Sequence, residues 1–189
     1  MIVFANARIL FKYPKLNMRF RLAIVVSLTL SGLSVLFLFV GVIVGVSFFD
    51  AQYVIPLGGM IIGNSMTGIT LGLGTFFETL SAQHNRTQTL LNLGVEPARI
   101  LLPHVNQSVE TALMPTINSM MGMGVIFLPG MMTGQILSGT LPTTAILYQI
   151  AIMIAICATV CFAVFFALTL GYRTLYNNRK QIYSLSSNG

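Results

Sequence analysis

Between Leu22 and Phe49 the sequence carries no charged side chain, and this run limits the possible folds more than any other feature. As a helix it would be ~42 Å long at ~1.5 Å per residue, against a bilayer hydrocarbon core of ~30 Å. Within lipid every backbone polar group must find its partner inside the protein, so a run of this kind crosses as a helix. Similar runs follow at Val54–Phe77 and Ala145–Gly171, and another from Thr111 to Thr133 is broken by Pro115 and by Pro129-Gly130. The sequence therefore predicts an all-α, polytopic helical bundle. Its four complete transmembrane helices are expected over residues 22–49, 54–77, 111–133 and 145–171. Met1–Phe11 is apolar but too short to span and reads as a partial N-terminal helix. It lacks the leading basic region and small-residue cleavage site of a signal peptide.

Only 7% of the 189 residues are charged, and the mean hydropathy is +0.84. A soluble domain carries ~25% charged residues, so lipid must solvate much of this chain. The net charge of +6 could suggest nucleic acid, but the basic residues stand at span ends rather than along one surface. Nucleic acid is therefore excluded as a partner. Arg8, Lys12, Lys15, Arg19 and Arg21 precede the first span, Arg86 and Arg99 lie in the centre, and Arg173, Arg179 and Lys180 lie in the tail. The connections Asp50–Tyr53 and Gly134–Thr144 have no basic residue. By the positive-inside rule the central stretch and the C-terminus are cytoplasmic, and Gly134–Thr144 is an outer loop or re-entrant piece. The glycosylation patterns at Asn85 and Asn106 then face the cytosol and stay unmodified. Cys157 and Cys161, four apart in an apolar run, read as small packing residues rather than a disulfide or metal pair.

Residues 78–110 form the long polar interruption and hold Glu78, Glu96, Glu110 and both histidines. Leu90, Leu91 and Leu93 stop at Gly94, and Pro97 can open a helix leading to Ile100. Gly suits the position just past a helix end, and Pro suits the first helical position. This reads as two short helices joined by a turn on one membrane face, where a soluble partner can grip them. His84 and His104 read as surface residues.

Polar side chains inside the spans are costly and call for a role. They are Asn64 and Ser65 in the second, Asn118 and Ser119 in the third, and Gln135 beyond it. Two readings stay open, hydrogen bonding between helices and the lining of a pathway. Met66, Met131 and Met132 lie close by, with Met60, Met120, Met121 and Met123, and serve either as adaptable filler or as soft ligands. No acid or histidine lies within a span, which argues against a proton-driven carrier. The pairs Gly41/Gly45, Gly59/Gly63, Gly68/Gly72 and Gly130/Gly134 fit close helix packing, within one chain or between two. Neither a G-x-x-x-x-G-K-[ST] loop nor a G-x-S-x-G or H-E-x-x-H pattern occurs, so no enzyme is expected.

The segments Ile55–Met66, Leu90–Pro103, Leu113–Gly139 and Tyr148–Met153 resemble the FetB-type ABC permeases. That family is associated with bacterial iron export and includes plant aluminium-tolerance permeases. The resemblance implies a permease subunit that exports a metal or small solute. It pairs with a separate ATP-binding subunit and works as a homodimer in the bilayer. The chain itself then needs no cofactor, because ATP and Mg²⁺ belong to the partner. It also implies that Leu90, Leu93, Gly94, Val95, Pro97 and Arg99 form the coupling loop that docks on the ATPase. Pro103 and Pro115 then bracket a hinge between this loop and the third span. Family members usually begin with further spans, so this sequence is expected to be a fragment, a sequence with a mispredicted start or a shortened paralogue. A scaffold or regulator that transports nothing is the alternative reading. A passive channel ranks below both, because no charged ring or filter repeat is visible.

Overall fold

The computed structural model describes residues 18–44, 51–124, 126 and 128–175. The expected partial helix Met1–Phe11, Lys12, Lys15, Gly45, Asp50 and the tail from residue 176 lie outside them. Helix α1, Met18–Leu38, continues as a π-helical segment, Phe39–Val44. Then come α2 (Ala51–Ala82), α3 (His84–Asn92), α4 (Pro97–Gly122), α5 (Gly130–Leu137) and α6 (Pro142–Leu175). Among the described residues, three helical stretches are long and apolar enough to cross a membrane: Phe20–Ile43, Val54–Ala82 and Pro142–Gly171. They correspond to the expected first, second and fourth spans. The protein is an integral membrane helical bundle.

The third expected span differs. Helix α4 runs unbroken from Pro97 to Gly122, through Pro103 and Pro115, and so includes the end of the polar stretch. Proline removes one ladder bond, yet neighbouring helices and hydroxyl groups let a membrane helix tolerate it. Here α4 packs along α2 and α6. The break falls later, where Gly124 takes φ +81° and Pro129 caps α5. Part of the expected loop Gly134–Thr144 is helical as the second half of α5. The true connection is Ser138–Leu141, turning at Gly139 with φ +93°. Pro142 opens α6, as its fixed φ favours.

Helix α6 is the hub and packs against α1, α2, α4 and α5. Gly68 and Gly72 set its register on α2. A Cβ on Gly68 would fall 2.5 Å from Val160 Cγ1, and one on Gly72 2.8 Å from Val164 Cγ1, so α2 and α6 run parallel. The same glycines face the carbonyls of Ala112 and Ser108 in reverse order, so α4 runs antiparallel to both. This G-x-x-x-G pair therefore serves packing within one chain. Gly63, Gly130 and Gly134 have open space where a Cβ would stand. Gly171 lies against the Phe20 ring and lets α1 close on α6. The fully buried layer includes Ile24 and Leu28 of α1, Ile61 and Leu73 of α2, Leu101 of α4 and Leu168 of α6. Leu22, Leu30, Leu147 and Ile154 stay exposed on the outside, as lipid contact requires.

Candidate functional site

The turn between α3 and α4 is built by local chemistry. The Gly94 N–H donates to the Leu91 carbonyl at 3.0 Å and the Val95 N–H to the Leu90 carbonyl at 3.1 Å. This is a Schellman closure, and it needs the left-handed conformation that Gly94 adopts at φ +81°. Leu90 and Val95 are half-buried at its base, and Leu93 projects with 74% of its surface exposed. Pro97 is the first residue of α4, and Arg99, two residues on, is exposed. The two helices are unequal, nine residues against 26, rather than the two short ones expected. His84 is exposed, but His104 is 5% exposed and not the surface residue expected. Burial, and then the Arg86 charge, hold its pKa below the ordinary 6.5. The Ser108 hydroxyl donates to its carbonyl at 2.6 Å.

The polar residues of the spans differ in their exposure. Asn64 and Asn118 are exposed, Ser65 is fully buried, and Ser119, Met66, Met131, Met132 and Gln135 are half-buried. Several of these groups bond within their own helix. Ser65 donates to the Ile61 carbonyl at 2.8 Å, Thr67 to Gly63 at 3.2 Å and Thr159 to Ala155 at 2.7 Å, each within its own helix. The Asn64 amide does the same to the Met60 carbonyl at 2.8 Å. Such back-bonding satisfies a polar group in lipid without any neighbour. Cys157 and Cys161 are half-buried free thiols.

The pattern of the uncharacterised protein family UPF0014 matches residues 1–176. The chain belongs to this family. UPF0014 relatives include the probable iron export permease protein FetB of Escherichia coli, 34% identical over 71% of this chain and 52% of that protein. The UPF0014 membrane protein slr1647 of Synechocystis is 32% identical over the same shares. Protein ALUMINUM SENSITIVE 3 of Arabidopsis thaliana is 35% identical over 61% of this chain and 42% of its own length. The chain thus spans about half the length of the curated relatives it matches. No solved structure matches it.

Two buried polar groups of this UPF0014 chain escape a reading of the sequence. Gln149 of α6 is 2% exposed with neither amide atom partnered. It is the one amide in the run Ala145–Gly171, and that isolation was the available signal. Ser27 is 3% exposed, and its hydroxyl has no partner. It borders an apolar groove of about 410 Å³ between α1 and α6, lined also by Ser31, Ser34, Phe162 and Phe166.

Proposed function

We propose that this chain is the membrane subunit of an ABC transporter that exports a metal ion, iron-like in class, or a small solute. A separate ATP-binding subunit hydrolyses ATP with Mg²⁺ and drives it. One observation carries the reading. The rigid turn at Gly94 presents Leu93 outward and feeds directly into α4, which continues unbroken into the bundle. A push on Leu90, Leu93, Val95, Pro97 or Arg99 is then delivered along α4 to its packing against α2 and α6. The turn and the C-terminus face the cytosol in this reading, as the basic residues favour. The name of one relative, the probable iron export permease protein FetB, supports export of iron, and the relatives are longer than this chain.

The pathway runs past Asn64, Ser65, Met66, Asn118, Ser119, Met131, Met132 and Gln135. A second copy covers the exposed members. Asn64 with Gly63 and Thr67 on α2, and Asn118 on α4, would otherwise face lipid, which polar groups avoid.

The test is recovery of the partner. A tagged chain drawn from native membranes is expected to bring an ATP-binding subunit with it. Leu93→Asp is expected to lose that subunit while still inserting. Recovery of no ATPase, or labelling of a Leu93→Cys chain from outside sealed cells, would overturn the reading.

A further inference from the structure

Polar and soft side chains lie at one end of the bundle, and among them Gln149, Met60, Met120 and Met123 have no part in the pathway proposed above. Gln149 there has both amide atoms buried and unpaired, and Gln135 Oε1 on α5 is buried and unpaired as well. A buried polar group without a partner is destabilising, so each points to something that satisfies it. The helix register shows what lies at this level. Following the Gly68–Val160 and Gly72–Val164 contacts back about three turns brings Gln149 level with Leu57. Following the Gly68–Ala112 and Gly72–Ser108 contacts along antiparallel α4 brings Met120 level with Met60, and Met123 level with Leu57.

Met153 stands one turn along α6 from Gln149 and is buried, and Met131 is on α5. Met60, Met120, Met123 and Met131 are partly buried and pack on the core that contains Leu57 and Met153. The neighbouring part of α1 is its π-helical segment, Phe39–Val44, reached just beyond the Leu36–Gly58 contact. Such π-helical segments recur at functional sites.

The donor chemistry is selective. Among the described residues no group of three or more His, Cys, Asp or Glu could hold a metal ion. Glu78 and Glu96 lie toward the opposite end, at the close of α2 and in the turn, and Glu110 lies at the middle of α4, ten residues or about 15 Å of helix before Met120. Thioether sulfur and amide oxygen remain. Hard multivalent ions want carboxylates, carbonyls and water, whereas thioethers select soft, weakly hydrated ions, with a glutamine oxygen as a weak additional ligand.

We propose that the Gln149 end of the bundle is a thioether–amide site for a soft monovalent cation of the Cu(I) class. Met60, Met120, Met123 and Met131 supply sulfur and Gln149 Oε1 the weaker oxygen contact. Its Nε2 donates to water that accompanies the ion. As a transported substrate the ion rests on the permease reading above; as a bound ligand it needs this chain alone.

The experiment uses the full chain in lipid nanodiscs with no ATPase present. Cys157→Ala and Cys161→Ala remove competing thiols, and Ag(I) serves as a redox-inert surrogate. Bound metal is measured after desalting. Saturable Ag(I) binding is expected. Its affinity should fall by roughly tenfold or more in Gln149→Leu and in a Met120→Leu/Met123→Leu double variant. Met121→Leu, at a side chain 69% exposed, should leave it unchanged. Exchange of Met for Leu conserves volume, and Gln149→Leu removes an unpaired amide, so these variants keep the bundle. Absence of saturable binding would overturn the proposal. So would binding indifferent to Met120, Met123 and Gln149, or Fe(II) held as tightly as Ag(I). Failure to recover an ATPase from membranes bears only on the permease reading.

Discussion

The backbone N–H of Val95 donates to the carbonyl oxygen of Leu90 at 3.1 Å, and this bond reverses the chain between α3 and α4. It forms only because Gly94 between them sits at φ +81°. The orientation of the exposed Leu93 side chain therefore depends on one residue without a side chain.

Substitution at Gly94 tests that dependence. A Cβ there meets nothing within 4 Å, so the cost of Gly94→Ala is backbone strain and not collision. Left-handed backbone costs an L-residue about 1–2 kcal/mol. Gly94→Ala is expected to lower the thermal midpoint in detergent slightly and to loosen the turn, read as faster amide exchange at Gly94 and Val95. Gly94→Asn, a residue that tolerates this conformation, should recover most of the loss.

A second prediction concerns the seam of α2 with α6. A methyl group on Gly72 would collide with Val164 Cγ1 and press on the Ser108 carbonyl at 3.3 Å. Overpacking of this kind costs about 1–3 kcal/mol. Gly72→Ala should lower the thermal midpoint clearly more than Gly134→Ala, whose position is open. Adding Val164→Ala to Gly72→Ala should restore part of it. Equal effects at the two glycines would contradict the packing described.

How much of this was legible beforehand follows from how local each cause is. The turn at Gly94 and Pro97 could be read because its chemistry resides in the residues themselves. The apolar runs of α1, α2 and α6 could be read because lipid imposes its thickness on composition. Helix α4 could not. Pro115 looks like a break in sequence, and only packing on α2 and α6 shows the helix passing through it. About 18 Å of α4 lies beyond Thr111, too little to span alone at ~1.5 Å per residue. Helix α5, eight residues long, follows after the turn. Burial of His104 was hidden for a related reason, since it depends on which face of α4 meets the bundle.

That histidine gives a third prediction. With its pKa lowered by burial and by Arg86, folded His104 stays neutral at a pH where the unfolded residue has already bound a proton. Its contribution to stability is complete above pH 6.5 and is lost as pH falls from there through the lowered native value. Thermal midpoints measured across this window should fall on acidification. In His104→Gln the fall should be shallower. A His104→Gln profile parallel to that of the parent would show that the buried imidazole does not govern the response.

The exposed amide of Asn64 leads to the last prediction. It satisfies one donor on the Met60 carbonyl, yet the rest of the group and the neighbouring Gly63 and Thr67 remain on an uncovered face of α2. Lipid does not solvate such a face well, whereas a second helix with small residues does. In a chain carrying Cys157→Ala and Cys161→Ala, Asn64→Cys is expected to give a crosslinked dimer in native membranes under mild oxidation. Leu147→Cys, on an apolar exposed face of α6, is expected to stay monomeric under the same treatment. Crosslinking from position 147 but not from 64 would contradict the proposed contact at Asn64 and remove this residue from the proposed pathway.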